Sequence, residues 1–317
     1  MPSTESRPRL LVLLGPTAVG KTELSIRLAE RFDMEIVSAD SRLLYRGLDI
    51  GTAKPSLEQR ARVPHHLIDV ADPDETWSLA LFQEAAHTAI VEIAARHRTP
   101  LLVGGTGQYL RAILEGWSPP ELPPRPGLRA ALEAWTEEIG PQGLHARLAR
   151  LDPTAAANID ARNLRRTIRA LEVNLSTGRR FSAQRGRGQS RYQVLQIGLI
   201  RPRLELYQRI DQRNQNMLDA GWLDEIRALL EKGYSPGLPS LSAIGYQQLT
   251  RHLQGELTLD EALLLIKRST RAFVRRQANW FKPDDPAIHW FELGEEKVFG
   301  QIEKLAEDFL SASSKKR

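Results

Sequence analysis

Residues 10–22 read LLVLLGPTAVGKT: an unbroken apolar run, then Gly15-Pro16-Thr17-Ala18-Val19-Gly20-Lys21-Thr22. The run has the length and composition of a strand buried on both faces, as a parallel sheet requires. The eight residues after it match G-x-x-x-x-G-K-[ST], and from Thr22 to about Arg31 helical spacing follows at Leu24, Ile26, Leu28 and Ala29. Strand, glycine loop and helix in that order build a phosphate cradle, because successive backbone N–H groups can curl round phosphate oxygens where glycine permits close approach. Lys21 adds a positive charge, and Thr22 a hydroxyl for a phosphate-bound Mg2+. The implied ligand is a diphosphate or a triphosphate.

Outward from this loop the alternation repeats. Residues 35–39 and 66–70 read as strands, 79–96 as a long amphipathic helix, and 101–103 as a further strand. This order predicts an α/β fold, a parallel sheet covered on both sides by helices. The texture changes at Gly116, where GWSPPELPPRPG suits neither a helix interior nor a central strand and reads as a linker. From 128 to 178 the pattern is helical throughout, ending in the glycine-bearing loop AQRGRGQSR, and at 194–200 the strand-like VLQIGLI returns. An all-helical block is therefore expected to be inserted into a sheet domain. The expected boundaries are 8–116 for the first part of the P-loop core, 117–190 for the arginine-rich helical insertion, 191–311 for the second part with its C-terminal helices, and 312–317 for a disordered basic tail.

A length of 317 residues fits about two domains. With 41% hydrophobic and 26% charged residues the chain is neither wholly disordered nor fibrous. A net charge of +5 is modest, so a polyanionic partner has to be met by local basic patches. The absence of cysteine excludes disulfides, thiolate metal sites and a cysteine nucleophile. No apolar run approaches the roughly 18 residues of a membrane span, and the N-terminal stretch lacks the pattern of a secretory signal. A cytoplasmic, monomeric protein without membrane contact is expected.

Two aspartates close strand-like segments, Asp40 in EIVSAD and Asp69 in HLIDV. Either could face the phosphate loop, since the carboxyl ends of parallel strands converge there, and either could simply cap a turn. Charge is concentrated elsewhere. Between Asp160 and Arg191 nine arginines face two acids, and Arg162, Arg165, Arg166 and Arg169 recur at helical spacing, a stripe suited to phosphate contacts along RNA. A second basic cluster, Lys267, Arg268, Arg271, Arg275 and Arg276, precedes Trp280.

The ordered series GPTAVGKT, VSADSRLLYRGLDIGTAKP, PHHLIDV, PLLVGGTGQYLRAILEG, RRTIRALEV, RIDQRNQNMLDAGWLDEIRALL, LPSLSAIGYQQL and RRQANW resembles the bacterial tRNA dimethylallyltransferases over almost the whole chain. The resemblance implies that the loop, from Gly15, Pro16, Thr17, Ala18 and Val19 to Gly20, Lys21 and Thr22, holds the diphosphate of dimethylallyl diphosphate rather than ATP. It implies Mg2+ as cofactor, with Thr22 at the metal, and the adenosine just 3′ of the tRNA anticodon as acceptor. Asp40 falls at the general-base position and Thr106 beside it. Arg213 falls at an arginine that reaches the diphosphate, and Arg209 lies one helical turn earlier. Contacts to tRNA are implied at Asp40, Ser41, Arg42 and Leu43, at Thr106, and along Arg165, Arg166, Thr167, Ile168 and Arg169. They are implied again at Ser242, Ala243, Ile244, Gly245, Tyr246 and Gln247, and at Arg275, Arg276, Gln277 and Trp280. Leu43 stands where many members have glutamine, and the zinc module of some eukaryotic relatives is missing.

Three rivals remain at this stage. An isopentenyltransferase acting on free adenine nucleotides would have little use for the arginine-rich insertion. A P-loop NTPase or kinase would cleave ATP. A non-catalytic tRNA-binding protein would keep the loop as a relic.

Overall fold

Leu10, Val12 and Leu14 feed one apolar core and Leu11 and Leu13 another, because successive side chains of a strand face opposite sides of the sheet. The computed structural model describes residues 7–120, 122–184 and 186–312. In chain order its first elements are β1 (Arg9–Leu14), α1 (Lys21–Phe32), β2 (Met34–Ser38), α2 (Leu57–Arg62), β3 (His65–His66), α3 (Leu79–Ala95), β4 (Thr99–Gly104) and α4 (Gly107–Leu114). Next come β5 (Trp117–Ser118), α5 (Pro126–Leu151), α6 (Pro153–Ala157), α7 (Leu164–Thr177) and β6 (Gly186–Arg187). The chain then runs through β7 (Gln193–Ile200), α8 (Arg203–Asp219), α9 (Trp222–Glu231), α10 (Tyr246–Leu253), α11 (Leu259–Ala278), β8 (Ile288–Glu292) and α12 (Glu296–Ser311).

Six strands form one parallel sheet in the order β3-β2-β4-β1-β7-β8, with Leu11 opposite Leu101 on one side and Leu195 on the other. Phe82 and Ile90 of α3, Leu110 of α4, Trp222 of α9 and Tyr246 of α10 pack with Leu10, Val12 and Leu14. Ile26 of α1, Leu206 and Ile210 of α8 and Ile302 of α12 pack with Leu11 and Leu13. Helices thus cover both faces, as expected.

The chain divides into two compact units, Glu115–Gln189 and everything on either side of it. Leu132, Leu144, Leu148, Ile159, Ile168 and Leu171 give the smaller unit its own core. That unit is not all-helical. Trp117 and Ser118 pair antiparallel with Arg187 and Gly186, so the proline-rich linker and the glycine-rich loop are closed by a short ladder whose two-residue strands are too brief for any periodic signal. A second expectation fails at 66–70. The strand stops after His66 because Leu67 and Asp69 take left-handed φ of 61° and 57°, which no ladder tolerates. β8 has no counterpart in the sequence reading. The expected tail at 313–317 lies outside the described residues.

Candidate active site at the carboxyl ends of the strands

The loop leaving β1 turns into α1 at Gly20, whose φ of 116° is open to glycine and strained for other residues. Ala18 also adopts positive φ, 62°, so the loop is wound tightly before the helix begins. Lys21 is folded back over it, its Nζ donating to the carbonyls of Gly15 at 2.9 Å and Pro16 at 2.8 Å. Burial pushes this ammonium down to about 8, against the pull of Asp40 and with help from Arg213. Three arginines of the second half of the sheet unit converge on the same loop. Arg201 Nε donates to Val19 O at 2.9 Å, Arg209 Nε to Ala18 O at 2.8 Å, and Arg213 Nη1 to Thr17 Oγ1 at 3.2 Å. Arg213 is lowered from its ordinary value by burial, which Asp40 opposes. Arg201 escaped the sequence reading, lying just past β7 with no motif to mark it.

Asp40 follows β2 directly, where Ala39 N still donates to Val103 O of β4 at 2.7 Å. One carboxylate oxygen of Asp40 accepts from the Arg42 amide at 2.9 Å, a local turn that fixes the side chain. Asp40 lies near enough to Lys21 and Arg213 to act electrostatically on both cations of the loop. Thr106 opens α4, its carbonyl accepting from Tyr109 and Leu110. Gln277, at the end of α11, ties these parts together. Its Oε1 accepts from the Thr17 amide at 3.0 Å and its Nε2 donates to Gly105 O at 2.9 Å.

Several residues expected to meet RNA are placed otherwise. Thr167, Ile168, Ala243, Gly245, Tyr246 and Gln277 are buried, so they shape or hold their segments and present no side chain to a polyanion. The reason is helical or turn geometry. A recognition segment read as a continuous string runs along helix and turn, where part of every turn must face the core. Arg165, Arg166, Ser242, Gln247, Arg275 and Arg276 are exposed, while Ser41, Leu43, Ile244 and Trp280 are half-buried. Arg169 is engaged by Glu172 at 2.6 Å and Leu122 O at 2.7 Å, and Arg162 by Asp160 at 2.7 Å. Arg185 lies outside the described residues. Two candidate segments do come together, since the Arg42 guanidinium donates to the carbonyls of Pro239 and Ser240 and to Ser242 Oγ. Tyr109 is core, stacked on Phe82 with ring centres 3.8 Å apart. Asp69 is structural, clasped by Lys54 at 2.5 Å and Arg60 at 2.6 Å.

The residues at the loop fit a Mg2+ that is coordinated chiefly by phosphate oxygens. Among the described residues no three His, Asp or Glu side chains converge on a metal position, and Thr22 offers an exposed hydroxyl at the start of α1. A cation that keeps most of its waters and is held chiefly by phosphate oxygens needs no more. No described helix is long and apolar enough to cross a membrane.

A family model described as IPP transferase matches residues 43–284. The tRNA dimethylallyltransferase of a Roseiflexus species is 55% identical over 273 residues, covering 86% of this chain and 90% of that protein. The enzyme of the same name from Thermomicrobium roseum is 47% identical, covering 97% and 93%. Among solved structures, the tRNA isopentenylpyrophosphate transferase of Bacillus halodurans has a TM-score of 0.72 at 40% identity, covering 97% of this chain and 98% of that one. A eukaryotic dimethylallyltransferase acting on tRNA has a TM-score of 0.79 at 26% identity, with coverage of 96% and 80%. A phosphate loop ringed by fixed cations, an aspartate beside it and relatives matched along nearly their full length lead to one conclusion: the chain belongs to the IPP transferase family.

Proposed function

We propose that this protein is a tRNA dimethylallyltransferase, moving the dimethylallyl group of dimethylallyl diphosphate to the exocyclic N6 of the adenosine 3′-adjacent to the anticodon. The observation that carries the reading is the juxtaposition of one carboxylate, Asp40, with the two half-buried cations Lys21 and Arg213 at the mouth of the phosphate loop. The chemistry asks for that pair of functions. The adenine amine is a poor nucleophile, so a carboxylate that takes its proton as the new N–C bond forms lowers the barrier. The C–O bond to diphosphate breaks in the same displacement, and its electrons leave on a highly charged group. Donors fixed in advance around that group stabilise the transition state most.

In this reading the loop amides, Lys21, Arg209 and Arg213 grip the diphosphate, Thr106 orients the amine or the departing oxygen, and Asp40 is the general base. Mg2+ bound to the diphosphate with Thr22 at its edge would neutralise part of the leaving charge. An adenine stacked in the anticodon loop has to be extruded to reach Asp40, and the turn 40–43 held against 239–242 by Arg42 is where it would enter. Arg165, Arg166, Arg275 and Arg276 would engage the tRNA backbone. The enzyme would act as a cytoplasmic monomer.

Radiolabelled dimethylallyl diphosphate incubated with the protein and unmodified tRNA should yield N6-dimethylallyl-adenosine at that position on nucleoside analysis, and AMP should not replace tRNA as acceptor. Brisk ATP hydrolysis without RNA alkylation would overturn the reading.

A further inference from the structure

Asp49, Ile50 and Gly51 offer three successive backbone N–H groups to a single side chain 174 to 176 residues away in sequence. Glu225 Oε2 accepts from Asp49 N at 2.8 Å and Ile50 N at 2.6 Å, and Oε1 from Gly51 N at 3.2 Å and the Tyr246 hydroxyl at 2.5 Å. Tyr246 is pushed above its ordinary range by burial and by Glu225, so it remains a proton donor. The turn lies flush on the aromatic pair behind it. A Cβ at Gly51 would stand 1.9 Å from Trp222 Nε1 and 2.7 Å from Tyr246 Cε2. Thr52, next in the chain, is secured by its own hydroxyl to Leu48 O at 2.6 Å. Its carbonyl accepts Arg213 Nη2 at 3.3 Å, while Nη1 of the same guanidinium reaches Thr17 in the phosphate loop. A guanidinium is planar, so holding two of its corners sets its orientation.

We propose that Glu225 is a positioning residue for prenyl transfer: its carboxylate locks the 49–52 turn, and that turn aims Arg213 at the phosphate loop. An acid in the first turn of α9 would ordinarily be explained by the helix dipole alone, a role that needs no partner across the sheet unit. Four donors gathered on two oxygens are a different arrangement, and they give the 49–52 turn its rigidity. The consequence for chemistry follows from how steeply rate depends on donor placement, since a displacement of about 1 Å can cost on the order of 100-fold.

This inference rests on the transferase reading above, and a double-mutant cycle separates the two. Glu225→Gln keeps the shape but turns an NH2 toward groups that are themselves donors. Expected is a fall in kcat of about 10- to 100-fold, with KM for tRNA changed by less than about threefold. In an Arg213→Ala background the same substitution should add less than about threefold, because the group it positions is already gone. Losses that multiply in the two backgrounds, or an Arg213→Ala enzyme with normal turnover, overturn the proposal. Thermal melts accompany each variant. Should Glu225→Gln not fold, Glu225→Asp, which keeps the charge but shortens its reach, enters the same cycle with the same outcomes. Failure of the wild-type protein to transfer the group at all would refute the transferase reading, whereas transfer with multiplicative losses would refute only the role of Glu225.

Discussion

Around the phosphate loop Lys21, Arg201 and Arg209 each donate to main-chain carbonyls of residues 15–19, whereas on α7 Arg165 and Arg166 stand in solvent without an ion pair among the described residues. The first set is aimed. Its positions are fixed by the fold before any ligand arrives, which suits charge that develops at one point during a reaction. The second set is free to follow a flexible polyanion, and any contribution to binding one would come from release of condensed counterions rather than from geometry. The same residue types are thus held in two different ways, and hydrogen bonding to fixed main-chain partners, which even the exposed Arg209 has, is what distinguishes them.

The sharpest way to break this comparison lies at Asp40. If the loop region is built for chemistry and α7 for holding RNA, Asp40→Ala should lower single-turnover transfer by about 10²- to 10⁴-fold. Binding of tRNA, measured by filter retention, should change only a few-fold. Near-normal turnover would remove Asp40 as general base.

Lys21 gives the next largest effect, through pH. Burial lowers its ammonium to about 8, so the free protein loses this charge as pH rises through that value. Binding of a diphosphate needs the charged form, and the affinity for inorganic pyrophosphate, read by calorimetry, should fall by up to about tenfold per pH unit above 8. Proton uptake on binding at pH 8.5, seen by comparing buffers of different ionisation enthalpy, is the companion signature of the same linkage. A flat profile from about pH 7 to 9.5 would mean that the lysine is not the group that meets the anion.

How far the sequence foretells this arrangement depends on the range of each interaction. The loop was legible because strand, glycines, Lys21 and the helix start lie within fifteen residues of chain, each signalled locally. HLIDV reads as a buried strand because of its apolar residues, while Leu67 and Asp69 are left-handed and the Asp69 carboxylate is clasped by Lys54 and Arg60, contacts that no local pattern carries. The tie made by Gln277, which the resemblance marks only as a tRNA contact, and Glu225 are out of reach for a related reason. Their partners Thr17 and Asp49 are 260 and 176 residues away, and a glutamine or glutamate on a helix ordinarily reads as a solvated face. The resemblance in DIGTAKP marked the turn as special without saying why, and the carboxylate behind Asp49, Ile50 and Gly51 supplies the physical reason.

The smallest effects test α7 itself, where the basic stripe is not uniform. Arg165→Ala with Arg166→Ala should weaken tRNA binding several-fold and reduce the slope of log affinity against log salt by about 1.5, two phosphate contacts' worth. Arg169→Ala should leave that slope almost unchanged, because its guanidinium is already committed to Glu172 and Leu122 O. Its cost falls on stability instead. Glu172 is fully buried, and although burial alone would raise its pKa, Arg129, the Arg125 amide and Arg169 outweigh that and hold the carboxyl at about 2. A carboxyl lowered from 4.5 on folding stabilises the folded state above about pH 4.5, and that contribution is lost as pH falls toward 2. Glu172→Gln should therefore lower the melting temperature at neutral pH and flatten its dependence on acid, with salt-dependent RNA binding intact. If instead Arg169→Ala reduced the salt slope as much as the exposed pair does, the division between engaged and free cations would fail on a helix that holds both kinds.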